Sequence, residues 1–151
     1  MKNFKIYNEQ SNSFFKILPL DWQDGIVPYW KTSKKTTKIY VLEDNNEILA
    51  GGLVFSECPP EMEFFKIEAQ EWFEKGYLYI GFLWVPEKFR NQNLGTLWLN
   101  ALKQLDKNQK YWLTIEEDNL RYFYEKNEFR YCKTIQNETI KEQLLFFDKK
   151  N

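Results

Sequence analysis

Trp84-Val85-Pro86-Glu87-Lys88-Phe89-Arg90-Asn91-Gln92-Asn93-Leu94-Gly95-Thr96 is the stretch on which the reading of this chain turns. Upstream of it, Tyr77 to Val85 is an apolar run that stops at Pro86 and reads as a strand. Downstream, Leu94, Leu97, Trp98, Ala101, Leu102 and Leu105 have the spacing of one buried helical face, which predicts a helix over Leu94–Asp106. Between them, Arg90 and a turn rich in Asn, closing on Gly95, lead straight into that helix. The first backbone N–H groups of a helix lack internal partners and carry partial positive charge, so this junction reads as an anion site.

Arg90-x-x-Asn93-x-Gly95-Thr96 after Val85 resembles the pyrophosphate-binding motif of the GNAT N-acetyltransferase superfamily. That motif usually runs Arg or Gln, two residues, Gly, one residue, then Gly or Ala. Asn93 stands in place of the first glycine, and Asn is the non-glycine residue most tolerant of left-handed backbone angles. A second segment, Asn119-Leu120-Arg121-Tyr122-Phe123-Tyr124-Glu125-Lys126-Asn127-Glu128-Phe129, resembles the short late helix of the same family. There the common form is Asn…Phe-Tyr-Glu-Lys-x-Gly-Phe. Glu128 replaces the glycine, and Asn119 lies closer to Tyr124 than is usual. The two segments follow the family's order and separation, and the resemblance spans Tyr77 to Phe129.

The resemblance implies one α/β (mixed α+β) domain over residues 1–151. Its sheet would be central, mixed and mostly antiparallel, splayed between two parallel strands and flanked by helices. Acetyl-CoA would lie in the splay, with its pyrophosphate on Arg90, Asn91, Gln92, Asn93, Leu94, Gly95 and Thr96. Its pantetheine and acetyl carbonyl would meet the backbone of Leu83, Trp84 and Val85, with Asn119 a further cofactor contact. Tyr124 falls on the tyrosine that lies beside the coenzyme sulfur in many members, which makes it the candidate general acid. A thiol has a pKa of ~8.5 and tyrosine ~10, so a phenol can donate to a departing thiolate. The implied activity is acetyl transfer to a primary amine of a small molecule or peptide, by direct attack in a ternary complex. A non-catalytic acyl-CoA-binding module on the same fold is the alternative.

Composition bounds the remaining classes. The chain has 151 residues, enough for a sizeable core, with 43% hydrophobic and 19% aromatic residues. A net charge of −1 gives no general pull toward nucleic acid or anionic membrane. Aromatic platforms for single strands normally accompany a basic groove, which is missing here. Histidine is absent, which removes Ser-His and Cys-His nucleophiles and His-ligated metals, and no metal site is expected. Cys58 and Cys132 match no metal spacing and read as reduced thiols. The opening residues lack a signal-peptide apolar run, and no segment is long enough to span a bilayer, so a cytoplasmic protein is expected. Dimerisation is common in the resembled family, and exposed aromatics in the insert before Tyr77 would suit it.

The other elements read as follows. Phe4–Tyr7 is a strand, Ser11–Leu18 a brief helix, and Asp21 caps a second helix disturbed by Pro28. Lys31–Lys38 is a basic loop. Ile39–Leu42 and Glu47–Phe55 form a hairpin around Asp44-Asn45-Asn46. Glu61–Lys75 is a helix ended by Gly76, with Met62, Phe65, Ala69, Trp72 and Phe73 buried and its glutamates on the solvated side. Strands follow at Tyr111–Ile115, Phe129–Ile135 and Gln143–Phe147, with Tyr122 and Phe123 packing the sheet. For the base that must deprotonate an amine, Glu116 and Glu117 are available but read as loop carboxylates, and no base is assigned.

Overall fold

The computed structural model describes residues 1–149. Its strands are β1 (Asn3–Ile6), β2 (Thr37–Asp44), β3 (Glu47–Phe55), β4 (Tyr77–Trp84), β5 (Lys110–Ile115), β6 (Arg130–Gln136) and β7 (Lys141–Phe147). They form one sheet in the order β1-β2-β3-β4-β5-β7-β6. Every neighbouring pair is antiparallel except β4 and β5. That pair is parallel because the connection between them is a helix, α5 (Leu94–Leu105), which carries the chain back across the sheet.

Helices cover both faces. One face is sealed by α1 (Ser11–Phe15), α2 (Leu20–Ile26) and α4 (Lys66–Glu74), which contribute Phe14, Phe15, Ile26, Ala69 and Trp72 to its core. The other is sealed by α5 and α6 (Asp118–Lys126), through Leu94, Trp98, Leu99, Leu102 and Tyr124. A short helix, α3 (Trp30–Ser33), bridges to β2. Among the described residues no helix is long and apolar enough to cross a membrane.

Local chemistry sets the turns as the sequence predicts. Asn45 and Asn46 take φ values of 51° and 64°, the angles of a two-residue hairpin with twist matched to its strands. Gly76, at φ 91°, ends α4. Other expectations need correction. Pro19, not Asp21, is the N-cap of α2; Asp21 lies in its first turn. The helix from Ser11 ends at Phe15, and the segment Lys31–Lys38 is split between the end of α3 and the start of β2. Glu61–Lys75 is not one helix: Pro60–Phe65 is a 3₁₀ turn, and only Lys66–Glu74 is α-helical. On α5, Leu97 and Leu105 are exposed while Leu99 is buried, because the buried face is rotated from the predicted stripe. Tyr122 is 73% exposed rather than packed on the sheet.

Two adjacent glycines let both layers press on the centre of β3. A Cβ on Gly51 would lie 2.3 Å from the Phe14 ring, and one on Gly52 would lie 2.9 Å from the Trp98 ring. Phe14 is fully buried and cannot swing away. Gly51→Ala is therefore expected to cost about 1–3 kcal/mol by overpacking, read as a lower urea midpoint with an unchanged slope.

Candidate functional site

β4 and β5 pair at only three positions, Tyr77↔Lys110, Leu78↔Tyr111 and Tyr79↔Trp112. Beyond these, β4 continues to Trp84 and β5 to Ile115 without pairing to each other. A bulge helps drive them apart. Between Leu53↔Gly81 and Gly51↔Trp84, β4 advances three residues while β3 advances two. The extra residue is absorbed at Phe82, whose φ is 57°. A left-handed aromatic residue is rare and strained, and here the surrounding rings hold it: Trp22 and Phe55 lie 5.9 and 6.3 Å away. The result is a stretch where the facing backbone groups of β4 and β5 are not paired with each other, a polar surface in need of a partner.

Leu83, Trp84 and Val85 line the divergent end of β4 and are half-buried. The Trp84 ring lies edge-on to Trp22 at 5.3 Å, and the Arg90 guanidinium lies over it at 4.6 Å. Arg90 Nε donates to the Val85 carbonyl at 3.0 Å, closing the turn back on the strand. Asn91 and Asn93 both adopt left-handed angles, φ 66° and 62°, with Gln92 between them; all three are exposed. Asn in place of glycine thus holds the turn. Asn93 is the N-cap of α5 and makes no side-chain cap, so the first-turn N–H groups of Leu94, Gly95 and Thr96 are free to bind an anion.

The side chains of this turn have packing duties as well. A Cβ on Gly95 would come 2.9 Å from the Phe123 ring, so this glycine lets α6 approach α5. Thr96 Oγ1 accepts from Asn127 Nδ2 at 3.2 Å, which ties the two helices together and leaves its backbone N–H as the group facing the turn.

Tyr124 is fixed by the end of α6. Phe129 N–H donates to the Tyr124 carbonyl and Glu128 N–H to the Glu125 carbonyl, each at 3.0 Å. This is a Schellman motif, with Glu128 at φ 74° doing what glycine usually does and Phe129 edge-on to the Tyr124 ring at 5.6 Å. The ring is buried, and burial holds its phenol well above 10. Asn119 is exposed in the first turn of α6.

On the other layer, beside the diverging strands, is Glu61, which is exposed as expected of the glutamates in this segment. Glu61 lies in the 3₁₀ turn, and a Cβ on Gly81 would sit only 3.6 Å from its Oε1. Burial first, then repulsion from Glu142 and Glu116, pushes its carboxyl up to about 7. The residue is exposed, so its carboxyl is crowded by neighbouring protein but not sealed from solvent. Nearby, the Tyr79 hydroxyl and Thr114 Oγ1 are hydrogen-bonded at 3.2 Å. Burial and the Glu61 charge hold the Tyr79 phenol well above 10. The prolines Pro59-Pro60, which break the helical phase before Glu61, were the available signal. A cavity of about 550 Å³ lined by Lys103, Lys107, Glu128 and Arg130 opens at the other end of α5, on the far side of the turn that follows Tyr124.

Residues 4–129 match the model of the Acetyltransferase (GNAT) family. No curated protein matches the chain. Among solved structures, a Bacillus subtilis acetyltransferase in complex with CoA is 14% identical, with a TM-score of 0.66 over 99% of both chains. A GNAT family acetyltransferase from Elizabethkingia anophelis with acetyl-CoA bound is 16% identical, with a TM-score of 0.63 over 98% of both. The ribosomal-protein-S18-alanine N-acetyltransferase of Escherichia coli is 12% identical; it aligns over 98% of this chain and 94% of its own, with a TM-score of 0.68. At these identities the likeness is one of fold.

Proposed function

Because the chain belongs to the GNAT acetyltransferase family, we propose that it moves an acetyl group from acetyl-CoA to a primary amine, by direct attack in a ternary complex. Residues 1–151 act in this reading as one such domain. The observation that carries it is the loss of β4–β5 pairing after Tyr79↔Trp112, next to the uncapped start of α5.

The residues present suit the cofactor. Arg90 to Thr96 offers an anion a ring of backbone N–H groups around two left-handed asparagines, without an acidic side chain in the turn. Leu83, Trp84 and Val85 offer the unpaired backbone of the splay to the amides of pantetheine and to the thioester carbonyl. Asn119 stands exposed in the first turn of α6 and would be a further contact. When bound, acetyl-CoA supplies an activated acetyl thioester. Tyr124 donates to the sulfur as it departs, and its raised phenol keeps that proton at every working pH. The acceptor is an amine of a small molecule or a peptide. Supporting the peptide case is the Escherichia coli neighbour, whose acceptor is an alanine of a ribosomal protein.

Thermal unfolding with and without acetyl-CoA, with a simple adenine nucleotide as control, tests this. At about a hundred times its Kd, a ligand adds roughly 2.7 kcal/mol, or about 5–10 °C for a domain of this size. That rise, with thiol release on adding an amine, is the expected result. A rise without turnover favours the non-catalytic acyl-CoA-binding module, and no rise leaves the Arg90–Gly95 turn as structural.

A further inference from the structure

Glu61 is held in place by its own segment. Pro59 and Pro60 fix the approach, the Met62 N–H donates to the Pro59 carbonyl at 2.9 Å, and the Met62 side chain is buried. The carboxylate then lies between two glycines. Its Oε2 is 3.9 Å from where a Cβ on Gly25 would be, and its Oε1 is 3.6 Å from that position on Gly81. Gly25 belongs to α2 and Gly81 to β4, two residues past the last β4–β5 pair. Without side chains at either position, the carboxylate reaches the lip of the splay. Among the described residues no ammonium or guanidinium pairs with it.

We propose that Glu61 is the general base that takes a proton from the acceptor ammonium, an inference that rests on the acetyltransfer reading above. The ammonium gives one proton to the Glu61 carboxylate and becomes a nucleophile. Its nitrogen then forms the C–N bond as the C–S bond breaks. The second proton lost from nitrogen balances the one that Tyr124 delivers to sulfur, and Glu61 returns its proton to solvent, which reaches it.

The groups facing Glu61 favour this role. Tyr79 lies on β4, Glu116 just after β5, Glu142 on β7 and Cys58 just before the 3₁₀ turn, while α2 presents Gly25. None is a cation. The neighbouring carboxylates raise the basicity of Glu61 and draw an amine in as its ammonium form. A carboxyl near 7 is matched to work at neutral pH, and transfer should rise with pH as it ionises.

The test compares wild type with Glu61→Gln on two kinds of acceptor. The basic amines are 1,4-diaminobutane, tyramine and a peptide with a free N-terminal alanine. The other is hydroxylamine, which is already neutral at pH 7 and needs no base. The variant should keep its melting-temperature rise with acetyl-CoA and its rate with hydroxylamine. It should lose about 10²–10⁴-fold in kcat/KM with the basic amine, together with the acidic limb of the pH profile near 7.

A ligand-free measurement adds an independent readout. A carboxyl raised from about 4.5 to about 7 by folding binds protons more tightly in the folded state, so wild type loses stability as pH rises between those values. Glu61→Gln escapes that loss, and its melting temperature relative to wild type should be higher at pH 8 than at pH 4.5. Equal losses with both kinds of acceptor, or an unchanged acidic limb, overturn the assignment. So does a wild type that acetylates hydroxylamine but none of the basic amines up to pH 9. A wild type that binds acetyl-CoA and acetylates nothing overturns the acetyltransfer reading itself.

Discussion

Tyr124→Phe is expected to lower turnover by about 10²-fold, at the lower end of what a lost proton donor costs, while leaving the acetyl-CoA-induced rise in melting temperature in place. The substitution removes one oxygen and nothing else. The ring stays under Phe123 and Phe129, at 4.9 and 5.6 Å, and the Schellman turn that fixes it is made of backbone. The phenol is held well above 10 by burial, so it is a weaker acid than free tyrosine and is protonated throughout the neutral range. Two consequences distinguish it from a base. Its removal should depress the rate by the same factor at pH 6 and pH 8, whereas the loss in Glu61→Gln should grow as pH rises through 7. It should also fall on kcat rather than on KM, because the thiolate it stabilises exists only as the bond breaks. Unchanged turnover in Tyr124→Phe would make this tyrosine a core aromatic and move the acid elsewhere.

The parts of the fold that were legible in the sequence are those set by short-range chemistry. The Tyr77 strand, the Arg90 turn and the Leu94 helix follow from apolar periodicity and from two asparagines able to take left-handed angles. The splay followed from the family resemblance alone, because the bulge beside it falls at Phe82. Nothing in an aromatic residue advertises a positive φ, and only the packing of Trp22 and Phe55 around it makes that angle tolerable. Glu61 was hidden for a different reason. A continuous helical phase from Glu61 to Glu74 would set Glu61 among the solvated glutamates, but the 3₁₀ turn after Pro60 places its carboxylate, on a residue that stays exposed, beside Gly25 and Gly81. Glu68 likewise serves the fold, accepting from Trp72 Nε1 and Lys133 Nζ. The tie between Thr96 and Asn127 joins side chains 31 residues apart and leaves no local pattern.

Trp98→Ala is expected to be the most damaging single change for stability, at about 3–5 kcal/mol, or roughly 6–20 °C in melting temperature. Trp98 is fully buried, its ring lies against Gly52, and its edge meets Phe4 at 6.0 Å. Its indole N–H also donates to the Tyr40 carbonyl at 2.9 Å, so truncation both opens a cavity and removes a buried hydrogen bond. Trp98→Phe keeps much of the volume and should cost less. The effect should reach the site, because Trp98 lies one turn after Leu94 and anchors the end of α5 that meets the Arg90 turn. At a temperature where Trp98→Ala remains folded, its affinity for acetyl-CoA should fall although no substituted atom faces the turn. Leu105→Ala, at the exposed far end of the same helix, should leave both stability and affinity nearly unchanged. If Trp98→Ala binds as tightly as wild type, the α5 N-terminus does not depend on this anchor, and the Arg90–Val85 and Thr96–Asn127 contacts suffice to hold it.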